Sequence, residues 1–519
     1  MKRILALAML IITTMTMFVG CGDDKDSASN AAKVIDIDLT SEEYAFGVDK
    51  DQPELLEKVN EFISTIKQDG TFNDICNNYF GDGEPVAVES HEYDESKNQL
   101  VVATNAAFEP FEYKKGDYYY GIDMEIAAAL AEYLDMELVI NNMDFDAVCL
   151  SVGQHKCDIA MAGLTVKEDR KEHVDFSVSY YSASQKLIVP GNSDEFDGCK
   201  TAEDVVEILN SKTSSTKIGV QNGTTGKLYV EGDAEWEFDG LPASAVGYKN
   251  GSLAVQDLMN GGLDYVILDS APAICITEAL AKDTTSFSQK IDTFKEYFIE
   301  YDGYKTVLEG LKNTLLIAVS GLLIGIIIGT VIATARVVPK YKMLPRVLNA
   351  ICTFYVALFR GTPMVVQLLV SYYVVLPLIG VNMTGVEVAI LIFGLNSGAY
   401  ISEIMRAGIL SVDAGQLEAG RAVGLSFSTT MIKIVIPQAV KNILPTMGNE
   451  FITLIKETSV VSFVGATDLY VAFNNIGSTS YEFMIPYLVM AMIYIVLVLI
   501  ISLGIKIMER SLRKSDRRN

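Results

Sequence analysis

The sequence predicts an α/β soluble domain followed by an all-α transmembrane domain of about five helices. Three observations lead there. Charge divides the chain: residues 1–304 hold 23 Lys and Arg against 55 Asp and Glu, whereas residues 305–519 hold 18 against 11. Long apolar runs are confined to the second part. From Leu100 the first part alternates strand-like and helix-like segments, as parallel sheets with crossover helices do. A strongly acidic soluble body excludes nucleic acid as a partner.

The N-terminus reads as a signal: Lys2 and Arg3, an apolar run Ile4–Val19, then a small residue before Cys21. "FVGC" resembles a lipoprotein signal, whose cysteine is lipidated after cleavage. The alternative is an uncleaved anchor, for which the run is short against about 30 Å of hydrocarbon. Residues 21–32 read as a linker placed outside the cell. Cys76, Cys149, Cys157, Cys199 and Cys275 are an odd set, so at least one stays unpaired within the monomer. His91, His155 and His173 are too scattered to hold a metal, and none is expected.

Glu42–Gly81 follows as a strand and two helices. Tyr44, Phe46 and Val48 alternate with small or polar residues. Pro53 opens a helix on which Leu55, Leu56, Val59, Phe62, Ile63 and Ile66 recur at helical spacing. "QDG" ends it, and "TFNDICNNYFG" forms a short second helix. About forty residues cannot close a core alone, so these apolar faces need a partner elsewhere.

In the second part, apolar stretches lie at about 311–335, 347–379, 386–411 and 485–508, with a fifth at 442–466 interrupted by Glu450, Lys456 and Glu457. Arg336, Lys340, Lys342 and Arg346 place the first loop inside, Arg421, Lys433 and Lys441 the third, and the tail "ERSLRKSDRRN" the C-terminus. An external N-terminus then requires an odd number of spans; five fits, so the interrupted stretch crosses, and its ionisable residues are expected to face the bundle interior. The internal loop "EAGRAVGLSFSTTMIKIVIPQAV" resembles the coupling loop of ABC importer permeases, E-A-A, three residues, G, nine residues, I, one residue, L-P. The matching residues are Glu418, Ala419, Gly420, Gly424, Ile434, Ile436 and Pro437, with Gly420 and Ile436 departing from the pattern. "FRGTPMVVQLLVSYYVVLP" is similar to a segment of the polar amino acid subfamily. The resemblance covers 305–511 and implies a separate ATPase subunit, holding ATP and Mg, on this loop; it also implies a homodimer of permease domains. "QNGTTGKL" fails as a phosphate loop, since Gln221 and Leu228 stand where Gly and Ser or Thr are required.

In the first part "LVVATNAAFEPFEY", "CDIAMAGLT" and "DYVILDS" read as core strands and "GIDMEIAAALAEYLDM" as a helix. Asn105, Thr165, Thr224, Thr225 and Asp269 collect at strand C-terminal ends, where such sheets bind ligands. "TNAAFEPFEY", "MDFDAV", "AGLTVKEDRKEHVDFSVSYY", "GVQNGTTG" and "ILDSAP" resemble the extracellular amino acid binding proteins of the same ABC family, two-lobed periplasmic-binding-protein-like domains of type II. The resemblance implies that Arg170 clamps a ligand α-carboxylate and that Thr165 and Thr225 donate to it. Asp269 and the Gly163 carbonyl take the ammonium, and Phe108 and Phe145 sandwich the side chain. Asn105 stands where many relatives have Asp, and Gln221 where some have Lys, which weakens the case for a cationic substrate.

Members of that family end with a hinge strand, a helix and a "YFG"-like turn. Here nothing of that kind follows Asp269, while residues 33–81 contain it. The resemblance implies a circular permutation within 33–290, with 82–99 bridging the usual termini and 291–304 connecting to the membrane; the rival reading is that 33–81 is a decayed remnant of a tandem domain. Hinge strands are expected near Tyr181–Val189 and Tyr44–Val48. The reading is a substrate-binding and permease subunit of an amino acid importer in a bacterial plasma membrane. The alternative, an amino-acid-gated ion channel or receptor, lacks a filter motif and leaves the coupling loop unexplained. No nucleophile–base or metal constellation indicates an enzyme.

Overall fold

The computed structural model describes residues 31–236, 238–281, 287–338, 341, 343–381 and 383–514. The expected leader, Cys21 and the extreme C-terminus lie outside them. The chain forms two compact units. One runs to Thr40 and takes in Ser184–Gln221 and Gly226–Thr285; the other holds Ser41–Ala183, Asn222–Thr225 and everything from Ser286. The expected boundary near residue 305 is therefore not where compactness divides the chain, because residues 41–183 cluster with the membrane helices.

The smaller unit is built on a five-stranded sheet ordered Ala32–Val34, Gln185–Pro190, Tyr265–Asp269, Lys217–Gln221, Ser244–Tyr248. Tyr265–Asp269, Lys217–Gln221 and Ser244–Tyr248 run parallel, joined by crossover helices such as Gly251–Met259. Gln185–Pro190 and Ala32–Val34 are antiparallel additions. Leu187, Val189, Ile218, Val220 and Ile267 fill the core, and every one belongs to a β-rich apolar run.

In the larger unit the sheet order is Val174–Phe176, Gly47–Asp49, Ile159–Ala160, Gln99–Thr104, Glu137–Asn142. The single strand expected over residues 44–48 divides in two. Glu42–Tyr44 pairs with Tyr181–Ala183, while Gly47–Asp49 enters the main sheet between two other strands. The chain passes between the units at residues 40–41 and 183–184, so Tyr181–Ala183 and Glu42–Tyr44 mark the crossing. Residues 47–48 and 185–189, expected to belong to the hinge, are sheet residues, and Ala45 and Phe46 form the break between two strands. Helix Pro53–Asp69 ends at Gly70, whose φ of 95° suits a left-handed cap. Its Val59, Phe62, Ile63 and Ile66 are buried, with Phe62 5.3 Å from the Tyr133 ring. Phe46 stacks on Tyr180 at 4.3 Å, and Tyr44 meets Phe111 edge-on at 5.2 Å. These are the partners that residues 42–81 need. Residues 82–99 are pinned as well: Val88 exchanges both backbone bonds with Tyr119, and Val86 N donates to Glu125 Oε1.

Among the described residues, four helices are long and apolar enough to cross a membrane: Gly303–Val337, Met343–Gly361, Gly385–Leu410 and Met484–Leu512. Gly303–Val337 lies close along Gly385–Leu410. A Cβ at Gly325 would sit 2.7 Å from Ser397 Oγ, and one at Gly398 would sit 2.7 Å from Ile328 Cγ2, so small residues set the approach. The stretch 347–379, expected as one span, breaks at Thr362–Pro363 into Met343–Gly361 and an apolar helix from Met364 to Leu378. Pro363 has no N–H to continue the ladder and pushes Thr362 out of helical backbone. The fifth stretch begins earlier than expected, as helix Ile436–Glu457, and continues as 3₁₀ helix Thr458–Val464. Glu450 and Glu457 are half-buried, whereas Lys456 is exposed, contrary to its expected interior position.

Candidate functional site

Six of the expected ligand residues come from the first lobe, within the larger unit. Asn105 follows strand Gln99–Thr104 and donates from Nδ2 to the Met143 carbonyl at 2.7 Å. Phe108 is buried, and a Cβ on Gly163 would stand 2.9 Å from its ring, so the two are in contact. Gly163 has φ 54°, a left-handed backbone that favours glycine. Its N–H donates to Asp123 Oδ2 at 2.9 Å. Phe145 begins helix Phe145–Gly153.

Arg170 sits on the short helix Glu168–Lys171 and is 9% exposed. Nη1 donates to the Thr165 carbonyl at 2.8 Å and Nη2 to the Gly223 carbonyl at 3.0 Å; the guanidinium carbon lies 5.3 Å from the Phe145 ring. A guanidinium has five N–H donors in a planar fork, so these two bonds orient it and leave capacity for a carboxylate. Thr224 and Thr225 are buried beside Gly223 in sequence, and Asn222–Thr225 clusters in the same unit as Arg170. Arg170, Phe145, Thr165 and the "NGTT" turn are therefore one constellation.

Two side chains there were not singled out by sequence. Glu42 is buried and accepts from Thr165 Oγ1 at 2.6 Å. A hydroxyl has one proton, so with Glu42 taking it Thr165 presents lone pairs to a ligand, not a donor. The signal was available: strand periodicity puts Glu42 on the buried face of Tyr44, with Glu43 outward. Asp123 is fully buried, accepting from Tyr180 Oη at 2.6 Å as well as from Gly163. Burial pushes its carboxyl up to about 7, against the two hydrogen bonds that hold it down.

Gln221 and Asp269 belong to the other unit. They end the neighbouring parallel strands Lys217–Gln221 and Tyr265–Asp269 at the same edge, both buried. That edge is where parallel sheets present ligand groups.

The coupling-loop residues form a separate knob. Helix Ala414–Ala422 carries Glu418, Ala419 and Gly420; Gly424 turns the chain at φ 89°; and Ser426 caps the next helix by accepting from Thr429 N. Gly420 is buried, and a Cβ there would meet Thr430 Cγ2 at 2.5 Å, which explains its departure from the pattern's Ala. Glu418, Ala419 and Pro437 are exposed, Val423 is 78% exposed beside Gly424, and Ile436 is 37% exposed. An outward apolar side chain on a capped turn fits a docking knob.

Solute-binding lobes built on mixed sheets with parallel central strands, joined in one chain to a bundle of membrane helices, define a binding-protein-dependent membrane transporter. Residues 100–309 match the family described as bacterial extracellular solute-binding proteins, family 3, and residues 321–514 match the binding-protein-dependent transport system inner membrane component. The arginine transport system permease protein ArtQ of Bacillus subtilis is 39% identical over 210 residues, 40% of this chain and 94% of its own. A putative glutamine transport system permease protein, GlnP of Rickettsia bellii, is 37% identical over 218 residues, covering 42% and 98%. A solved amino acid ABC transporter with histidines aligns at 36% identity over 41% of this chain and 96% of its own, with a TM-score of 0.38. The chain belongs to the inner membrane component family and carries its solute-binding domain in the same polypeptide.

Proposed function

We propose that this chain is both receptor and permease of an ATP-driven importer of L-amino acids. The observation carrying that reading is Arg170: a buried guanidinium, oriented by two backbone carbonyls and backed by the Phe145 ring. This is the arrangement that a free α-carboxylate requires. Asp269 takes the ammonium together with the Gly163 carbonyl and the Thr165 lone pairs, Thr225 donates to the carboxylate, Phe108 and Phe145 flank the side chain, and Asn105, Gln221 and Thr224 face it.

Residues 33–290 are the binding domain, with 33–81 the family's C-terminal piece moved to the front and 82–99 joining the old termini. Supporting this, Gly47–Asp49 is a strand of the same sheet as Gln99–Thr104. Residues 305–511 are the permease. A separate ATPase subunit holds ATP and Mg and docks on Glu418–Pro437; two copies of the chain complete the pathway; and Cys21 is the lipid anchor. Nothing in the fold or the relatives favours the ligand-gated channel.

The relatives named for arginine and glutamine make those two amino acids the first probes. Neutral Asn105 and Gln221 put L-glutamine ahead of L-arginine. Calorimetry on the solubilised chain should give heat with L-glutamine, and Arg170→Ala should weaken that binding by about a hundredfold or more. Affinity kept within about tenfold would overturn the assignment.

A further inference from the structure

We propose that residues 41–183, the first lobe, are a permanently seated part of the permease and not a receptor surface that docks and leaves. This rests on the transport reading and adds which part stays still: the first lobe remains in place through the cycle.

Three separate patches hold the seat. At the first, the turn between strands Glu112–Lys115 and Tyr118–Tyr120 enters the start of the membrane part. Lys114 O accepts from Thr479 Oγ1 at 2.6 Å, and Lys115 Nζ stands 4.4 Å from the Tyr301 ring centre. Gly116 has φ 64°, and a Cβ on it would fall 1.7 Å from Tyr301 O, so the turn fits only as glycine. Asp117 Oδ2 lies 3.6 Å from Lys305 Nζ on helix Gly303–Val337. At the second, Tyr481 Oη donates to Glu109 Oε2 at 2.5 Å, and burial holds the Glu109 carboxyl above its ordinary range.

The third patch is apolar. Ala147, Val148 and Val152 of helix Phe145–Gly153 share one buried core with Leu376, Val464 and Ala466 of the membrane part. Lys156 Nζ rests 3.5 Å from the Tyr372 ring centre, and burial pushes its ammonium down to about 8. Surfaces that separate in each cycle are polar and wet, whereas cores that continue across an interface mark permanent association. Separation here would expose that apolar core and leave Lys156 and Glu109 without the aromatic partners that face them. Covalent fusion favours the seated state, because a tethered partner binds at a high effective concentration.

The test uses the full chain in lipid nanodiscs and two cross-links. A Cβ on residue 465 would lie 4.0 Å from Met143 Cβ, within disulfide reach, so Met143→Cys with Gly465→Cys reports the apolar patch. In the unaltered chain, a zero-length carbodiimide link between Lys305 and Asp117 reports the turn. A seated lobe gives a disulfide that forms in a single phase to completion and a carbodiimide link, shared with Asp302 2.7 Å from Lys305 Nζ, that forms in a single phase to a fixed yield, both at rates within about threefold whether or not an equimolar mixture of the proteinogenic L-amino acids is present. A disulfide plateau short of completion, a second slow phase in either link, or a larger change in rate or carbodiimide yield with amino acids means an undocked population and overturns the proposal. Gly465 has φ 70°, so if strain blocks the disulfide the carbodiimide link decides, and its absence also overturns the proposal. Calorimetry with the same mixture reads the transport assignment separately: absence of heat defeats that assignment, while the link kinetics without amino acids still decide the seat.

Discussion

The two five-stranded sheets each take one strand from residues 32–49, and they use it differently. In the smaller unit Ala32–Val34 is an edge strand with one neighbour, Gln185–Pro190, and its residues are half-exposed. In the larger unit Gly47–Asp49 lies between Val174–Phe176 and Ile159–Ala160, and all three of its residues are buried. One short stretch of chain is thus an addition to one sheet and a structural member of the other. An edge strand can be lost with the sheet behind it intact, whereas an interior strand cannot.

The largest expected effect comes from removing the segment altogether. A fragment covering residues 100–290 loses Gly47–Asp49 and also the buried Val59, Phe62, Ile63 and Ile66 of helix Pro53–Asp69. At about 1.5–3 kcal/mol for each large side chain, that loss alone reaches the usual 5–15 kcal/mol of a whole domain. The fragment should show no cooperative melt by circular dichroism. In mild detergent, which covers the apolar face that helix Phe145–Gly153 shares with the membrane part, residues 100–290 joined through a Gly/Ser linker to 33–81 should melt cooperatively and bind ligand. A bare fragment that melts and binds as tightly would mean that the segment is a remnant of a second domain, not a permuted part of this one.

Asp123 allows the larger unit to be probed by pH. Its folded value of about 7 exceeds the ordinary value near 3.9, so the fold favours the protonated form. The associated stability is fully present below about pH 4 and is lost as pH rises through about 7, by roughly 4 kcal/mol. Asp123→Asn should flatten this slope in a series of melts, with the difference from the unaltered chain growing between those limits. An unchanged slope would mean that Asp123 is already ionised in the fold.

Gly424 supplies a reference far from either sheet. With φ 89° and open space around its Cβ position, a Trp there strains the turn and enlarges the knob without touching the lobes. Ligand-stimulated ATP hydrolysis in proteoliposomes should fall about tenfold or more while ligand affinity stays the same. Undiminished stimulation would remove this loop from the coupling step.

Much of this was legible in the sequence, for identifiable reasons. The helix Pro53–Asp69 was fixed by local signals: proline at its first position, a 3.6-residue apolar repeat and a glycine stop. The membrane helices were legible from length and hydropathy, except where Pro363 broke one and the half-buried Glu450 and Glu457 interrupted another. The strand break at Ala45–Phe46 was not legible, because period-two alternation runs unbroken through Tyr44, Phe46 and Val48 while pairing partners change from Tyr181–Ala183 to Val174–Phe176. Glu42 escaped notice because an acidic residue in a strand reads as solvent-facing until its partner, 123 positions away, is placed against it. The seat of the first lobe depends on Glu109, Lys115 and Tyr481, each unremarkable alone and informative only in contact.

The smallest expected effect tests the contrast between the two strands most directly, through one substitution made twice. In antiparallel pairing, alternate residues exchange both backbone bonds with the residue opposite and the others point their N–H groups away. Ile35 N donates to Leu187 O and Gly191 N to Ala31 O, so Ala31, Lys33 and Ile35 face the neighbour and Val34 N–H points outward at the edge. Ser177 N donates to Phe46 O in the register that pairs Val48 with Asp175, so Val48 N–H points into the ladder of a strand flanked on both sides. Proline lacks that N–H and is tolerated only at edges. Val34→Pro should therefore cost about 1 kcal/mol or less, and Val48→Pro about 3 kcal/mol or more, measured as midpoint shifts in denaturant at constant slope. Equal costs at the two positions would mean that the N-terminal segment bears the same load in both sheets, and that the difference between edge and interior does not govern how this chain holds together.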